Sequence, residues 1–281
     1  MRWRTNKKTF FFSFLLSFVF LGSCCVHQNQ NPFFGSHTLR KAKKAVIKID
    51  GFTTIKLTTT STTKISQISL KFRTVASGSI VKHHKGLSMI LTAAHVCGFV
   101  YKQQISIFKN FVGPNEKVSK IKIDTQLMAT DIEGRIFSAR QVHLQKRSDT
   151  CIIVTNRIPQ NALDIASNEV EIGEEVFNIG LPNGIWAPNF IPMFDGRYLG
   201  HFYFSYGRSK ISCYSIPAAP GQSGSPIINS QGQVIGMIHS VYRRYNHLSL
   251  ASTLEQIQGV IDFGVKQVEN DYKKYKKSLN N

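Results

Sequence analysis

Ala219-Pro-Gly-Gln-Ser-Gly-Ser-Pro226 places a serine between two glycines in a tight turn. Acyl transfer needs a hydroxyl that projects from a turn where backbone N–H groups converge on one point. Gly221 lets the main chain bend there, and the N–H groups of Gly221 and Ser223 are candidate donors for an oxyanion hole. Gly224 leaves room beside Ser223, and Pro226 begins a strand-like run, Ile227-Ile-Asn. A plain glycine-serine hairpin loop fits the same octapeptide. The rest of the chain decides between them.

A nucleophilic serine needs a base. In Met89-Ile-Leu-Thr-Ala-Ala-His-Val-Cys97 an apolar run ends in small residues and His95 follows, with little steric bulk around its imidazole. Between the two stretches, Ser148-Asp-Thr-Cys-Ile-Ile-Val154 puts an acid at the mouth of a buried strand. Asp149 there would fix the imidazole's tautomer and stabilise the imidazolium.

With these residues in the order His95, Asp149, Ser223, the chain resembles the trypsin/chymotrypsin-like serine peptidases. It carries their T-A-A-H segment, the aspartate heading an apolar strand and the G-x-S-G-x-P loop, with separations of 54 and 74 residues. The resemblance spans roughly residues 76 to 261 and matches the bacterial and viral peptidase domains of this kind. It implies an all-β fold: two six-stranded antiparallel β-barrels of the chymotrypsin type and a C-terminal helix. The triad would lie between the barrels. An α/β-hydrolase elbow is excluded, because position 225 is Ser rather than Gly and no acid lies between Ser223 and His247, the last histidine.

A chain of 281 residues with 20 glycines, 20 phenylalanines and 18% charged residues suits a β-rich globular protein with a sizeable core. The net charge is +19. Part of it lies in residues 1–23, where a basic start leads into Phe10–Leu21, too short for a comfortable membrane span. This reads as an export signal, either an ordinary cleaved one or that of a lipoprotein, with an uncleaved anchor as the third reading. Leu21-Gly-Ser-Cys24 resembles the bacterial lipobox, in which Cys24 would be lipidated and the chain held at the cell envelope. Without lipidation it would be periplasmic or secreted. Residues 24–44 read as a basic polar tether. No aromatic-interleaved basic repeat points to nucleic acid, no His/Cys/acid spacing points to a metal, and no cofactor is implied.

The peptidase domain is expected over 45–281, with barrel 1 at about 45–160, barrel 2 at about 161–251 and the helix at about 253–275. Strands are expected at Val46–Ile49, Ile65–Phe72, Gln104–Phe108, Ser119–Asp124, Gln141–Leu144, Glu175–Gly180 and Ser209–Tyr214. A hairpin over Pro226–His239 would turn at Ser230–Gln233, and Pro159-Gln-Asn161 would cross between the barrels. Ser252-Thr-Leu-Glu255 reads as a capping box before a helix docked on the second barrel. No peptide-binding module is expected after it.

Two positions depart from the family. Gln222 stands where digestive enzymes carry the aspartate that pairs with a new N-terminus, so activation of that type is not expected. Ser225 replaces the commoner glycine. Cys97, Cys151 and Cys213 do not match the family's bridge beside the histidine and are expected to be buried free thiols. The resemblance places the primary pocket near Pro217 and along His239-Ser240-Val241. With no carboxylate from Gly196 to Gln222, a bound Lys or Arg would find no partner there. Val241 would favour aliphatic side chains. His239 could recognise Glu or Gln in another register, but strand alternation turns it toward Asp149. The chain thus reads as a serine endopeptidase acting on protein or peptide. Its rival is a catalytically inactive barrel that binds an envelope partner.

Overall fold

The computed structural model describes residues 36–60, 65–98, 117–204, 209–242, 244–245 and 247–279. The first six strands are β1 (Val46–Thr60), β2 (Ile65–His84), β3 (Leu87–Ala93), β4 (Lys117–Thr130), β5 (Ile136–Gln145) and β6 (Thr150–Asn156). They close into one antiparallel barrel in the order β1-β2-β3-β6-β5-β4. The next six are β7 (Glu175–Ile179), β8 (Met193–Phe204), β9 (Ser209–Tyr214), β10 (Pro226–Ile228), β11 (Val234–Val241) and β12 (Ser249–Ser252). These form a second closed barrel, β10-β11-β12-β9-β8-β7. Closure leaves no sheet edge unpaired. The expected two-barrel architecture is therefore the one found.

Packing inside the first barrel explains the glycine on β2. A Cβ on Gly78 would collide with Ile49 and Ile90, which meet in the barrel interior. Strands β3 and β6 do not alternate between apolar and polar residues, and nearly all of both is buried. Side chains on successive strand positions point to opposite faces, so each of these strands needs cover on both sides.

Helix α2 (Leu254–Leu279) supplies the outer cover. Gly264 on this helix sits directly over Met89 and Ile152, and Ile257, Val260, Ile261 and Val268 join the same apolar cluster. The expected docking on the second barrel is thus corrected. Of the helix's buried apolar residues, Leu254 alone joins the second barrel's cluster. The remainder follows the uncovered aliphatic face of β3 and β6. Phe263 stacks on His143 of β5 at 5.1 Å, and Asp271 pairs with Arg140 at 3.2 Å.

The cap also differs from expectation. Thr253, not Ser252, closes the box: its N–H donates to Gln256 Oε1 at 3.0 Å, and the Gln256 N–H donates to Thr253 Oγ1 at 3.3 Å. Ser252 ends β12 instead and donates to the Ser148 carbonyl at 2.7 Å. The expected tether changes character too, because helix α1 (Ser36–Ala45) contains Arg40–Lys44 and buries Ala42 and Ala45 in the core. Lysine stems and small alanines make one side of that stretch apolar enough to pack. The strand expected at Gln104–Phe108, the expected export signal and Cys24 all lie outside the described residues.

Candidate active site

Two loops of the first barrel meet at its end. Pairing of Thr92 with Cys151 and Ala93 with Thr150 carries β3 and β6 to the same height. The Ala94 N–H then donates to the Asp149 carbonyl at 2.9 Å. Ala93 and Ala94 are fully buried, so the chain can turn tightly and leave His95 partly exposed above them. Asp149 adopts a left-handed backbone with φ +52°. That turn directs both carboxylate oxygens at His95. Oδ2 lies 2.8 Å from Nδ1, and Oδ1 accepts the His95 backbone N–H at 3.0 Å.

Cys97 and Cys151 are joined by a disulfide, which corrects the expectation that they are free. Each follows its catalytic candidate by two residues, and the bonds Val96 N–H to Ala93 O and Cys97 N–H to Ala94 O curl the chain back toward Cys151. Contact depended on that turn rather than on adjacency to the histidine. Cys213 is a buried free cysteine, as expected.

Ser223 comes from the second barrel. Its loop is shaped by Gly221 and Gly224, with φ of +97° and +88°. A Cβ on Gly221 would strike the Leu181 carbonyl, and one on Gly224 would strike the Ser77 carbonyl and Thr92 Oγ1. Neither position tolerates a side chain. The Pro220 carbonyl accepts the Asn183 N–H. In a trans peptide the N–H points opposite to the C=O, so this bond aims the Gly221 N–H away from Asn183. Among the described residues neither that N–H nor that of Ser223 donates to a protein acceptor.

Ser77 was not singled out from the sequence, although it sits in the Ala76–Val81 run. It is fully buried and joins three segments. Its N–H donates to the Ser223 carbonyl at 2.9 Å, and its Oγ donates to the Gly221 carbonyl at 2.8 Å while accepting the Leu181 N–H at 3.1 Å. Thr92 Oγ1 donates to the Ser77 carbonyl at 2.8 Å. The serine loop is thereby pinned to the histidine strand. Among the described residues no hydrogen bond links Ser223 itself to His95. Such bonds are often long in a peptidase without substrate.

Burial raises the Asp149 pKa, but the hydrogen bond and charge of His95, with a smaller contribution from His239, outweigh it and hold the carboxyl below its ordinary value. His239 marks an irregularity in β11, where pairing with β12 shifts between Ile238 and Ser240. Burial pushes its imidazole down to about 4, with Asp149 opposing and His95 reinforcing the shift. His239 therefore lies within electrostatic reach of both residues. Its Nδ1 is 3.0 Å from Ser240 Oγ. Ser240 is exposed, Val241 packs partly against the second barrel's core, and the Pro217 carbonyl accepts Gln222 Nε2–H at 3.3 Å. Among the described residues no three His, Cys, Asp or Glu side chains gather to hold a metal.

Known proteins with the same architecture include the Rv3671c protease of M. tuberculosis H37Rv, in an inactive serine-to-alanine form. The two share 15% identity with a TM-score of 0.55, over 82% of this chain and 91% of that one. A serine endoprotease from Yersinia pestis shares 18% identity at TM-score 0.55, over 82% and 66% of the respective chains. The HtrA-type protease AlgW, in complex with a tripeptide, shares 15% at TM-score 0.57, over 82% and 63%. No curated protein sequence matches the chain. The family model described as "Trypsin-like peptidase domain" matches residues 76–237, a span that runs from Ala76 in β2, beside Ser77, to Met237 in β11. By that match, over more than half its length, the chain belongs to the trypsin-like peptidases.

Proposed function

We propose that the chain is an exported serine endopeptidase in which His95, Asp149 and Ser223 act as a triad. The observation that carries this reading is the pair of hydrogen bonds from His95 to the two oxygens of Asp149. With Nδ1–H donated to the carboxylate, Nε2 is left as the acceptor. It takes the Ser223 proton as Oγ attacks the peptide carbonyl. The oxyanion that forms is stabilised by the N–H groups of Gly221 and Ser223. Protonated His95 then gives its proton to the leaving amine, and water hydrolyses the acyl-enzyme by the same route in reverse. A fluorophosphonate probe tests this on the intact chain, with labelling expected at Ser223 alone. A chain that folds, takes no label and cleaves no peptide is instead the inactive binding barrel.

For specificity, we propose small or medium aliphatic side chains at the residue preceding the cut. A cation would enter a pocket whose segment 196–222 bears no carboxylate. Val241 favours an apolar guest. Cleavage profiled over a mixed peptide library is expected to peak after such residues, and a peak after Lys, Arg, Glu or Gln refutes the assignment. The basic, apolar start and Leu21-Gly-Ser-Cys24 support export and lipidation at Cys24. The mass of the mature N-terminus decides this, since an unmodified start at another residue rules lipidation out.

A further inference from the structure

The residues at positions 222 and 225 both depart from the family's usual pattern, and both meet the same side chain. Gln222 is 1% exposed, and Asn178, near the end of β7, is fully buried. Gln222 Oε1 accepts the Ala219 N–H at 2.7 Å, and its Nε2 donates to Asn178 Oδ1 at 2.9 Å and to the Pro217 carbonyl. From its other end, Asn178 Nδ2 donates to Ser225 Oγ at 2.7 Å and to the Pro226 carbonyl at 2.9 Å. Both N–H groups of each amide are thus used, and each amide oxygen accepts a bond. A buried polar network resists rearrangement when its members are satisfied in this way.

We propose that Asn178 is the positioning residue that holds the Ser223 loop in its reactive shape, by bridging Gln222 on one side of the nucleophile to Ser225 and Pro226 on the other. The two departures then form one device. A glutamine at 222 cannot pair with a newly cut N-terminus, but its amide can reach a partner already present in the folded chain. Ser225 supplies the hydroxyl that takes up one Asn178 N–H. Gly180 makes room for it, because a Cβ there would lie 2.7 Å from the Ser225 Cβ. The lock is formed by neutral groups within the domain, so the loop needs neither proteolytic activation nor a charged partner. Its target is the peptide geometry of residues 220–223, which aims the Gly221 and Ser223 N–H groups.

This inference rests on the proposed triad chemistry, and its test separates the two. Asn178→Ala and Gln222→Ala are compared with the unmodified full-length chain for kcat, KM, fluorophosphonate labelling rate, affinity for a peptide boronate and melting temperature. A donor displaced from an oxyanion loses transition-state binding and little ground-state binding. Each variant is therefore expected to lose about 10- to 100-fold in kcat and in boronate affinity, with KM nearly unchanged. The double variant should lose little more than either single one, because both break one network. A purely structural role would lower the melting temperature and leave kcat and boronate affinity intact below it. That outcome, or additive losses in the double variant, overturns the proposal. If Asn178→Ala does not fold, Gln222→Ala reads the same lock from the loop side. Failure of the unmodified chain to label overturns the triad reading and this inference with it. Labelling of the unmodified chain with unchanged variants overturns this inference alone.

Discussion

Replacing Ser223 with alanine is expected to abolish fluorophosphonate labelling and to lower kcat by about 10⁶, leaving KM nearly unchanged. Oγ is the only atom lost, and with it the covalent intermediate. Its removal leaves no buried partner unsatisfied, because among the described residues the Ser223 side chain is held by no hydrogen bond to His95. The loop stays in place through main-chain contacts that alanine keeps, above all Ser77 N–H to the carbonyl of residue 223 at 2.9 Å. Alanine also keeps the N–H of residue 223. A residual rate above that in water is therefore expected, from carbonyl polarisation by that N–H and the one at Gly221. Melting temperature should not change. Steady-state kinetics with a cleavable peptide check the result, and near-normal turnover in the variant would remove Ser223 from the mechanism.

The barrels and the main site elements were legible because their signals are local. Gly221 and Gly224 require backbone geometry that only glycine adopts cheaply, and the small residues before His95 follow from how tightly β3 must turn. What escaped the sequence depends on partners far along the chain. Ser77 looks like any serine in a strand until the Gly221 carbonyl and Leu181 N–H arrive from more than a hundred residues away. Asn178 sits in an apolar strand, and its role needs both Gln222 and Ser225 in place. The bridge between Cys97 and Cys151 depended on the turn after His95. Strand β12, Ser249–Ser252, is too short and too polar for alternation to reveal, and neighbours β9 and β11 define it. The helix showed its apolar stripe but not its dock. Both barrels offered apolar surface, and the uninterrupted aliphatic run of β3 and β6 drew it to the first.

Asp149→Asn is expected to lower kcat by about 10⁴ while leaving the fold and KM in place. Asparagine is nearly the same shape and tolerates the left-handed backbone found at this residue, φ +52°. The loss follows from the direction of two hydrogen bonds. The His95 backbone N–H, 3.0 Å from Oδ1, can only donate, so the amide oxygen of asparagine must turn toward it. The amide NH₂ then faces Nδ1, which must accept. The ring proton moves to Nε2, the atom that has to receive the proton of Ser223, and the base is lost although the geometry is kept. Stability should respond to acid with the same logic. His239 is held to about 4, below its ordinary 6.5, so the unfolded chain takes up that proton first and stability declines as pH falls between those values. The Asp149 pKa is also lowered, so its contribution is present above 3.8 and is lost as pH falls further. The asparagine variant should lack that second decline and keep the first. Activity and denaturation midpoints measured across pH in both chains test the account, and a variant with normal kcat would show that Asp149 does not set the tautomer of His95.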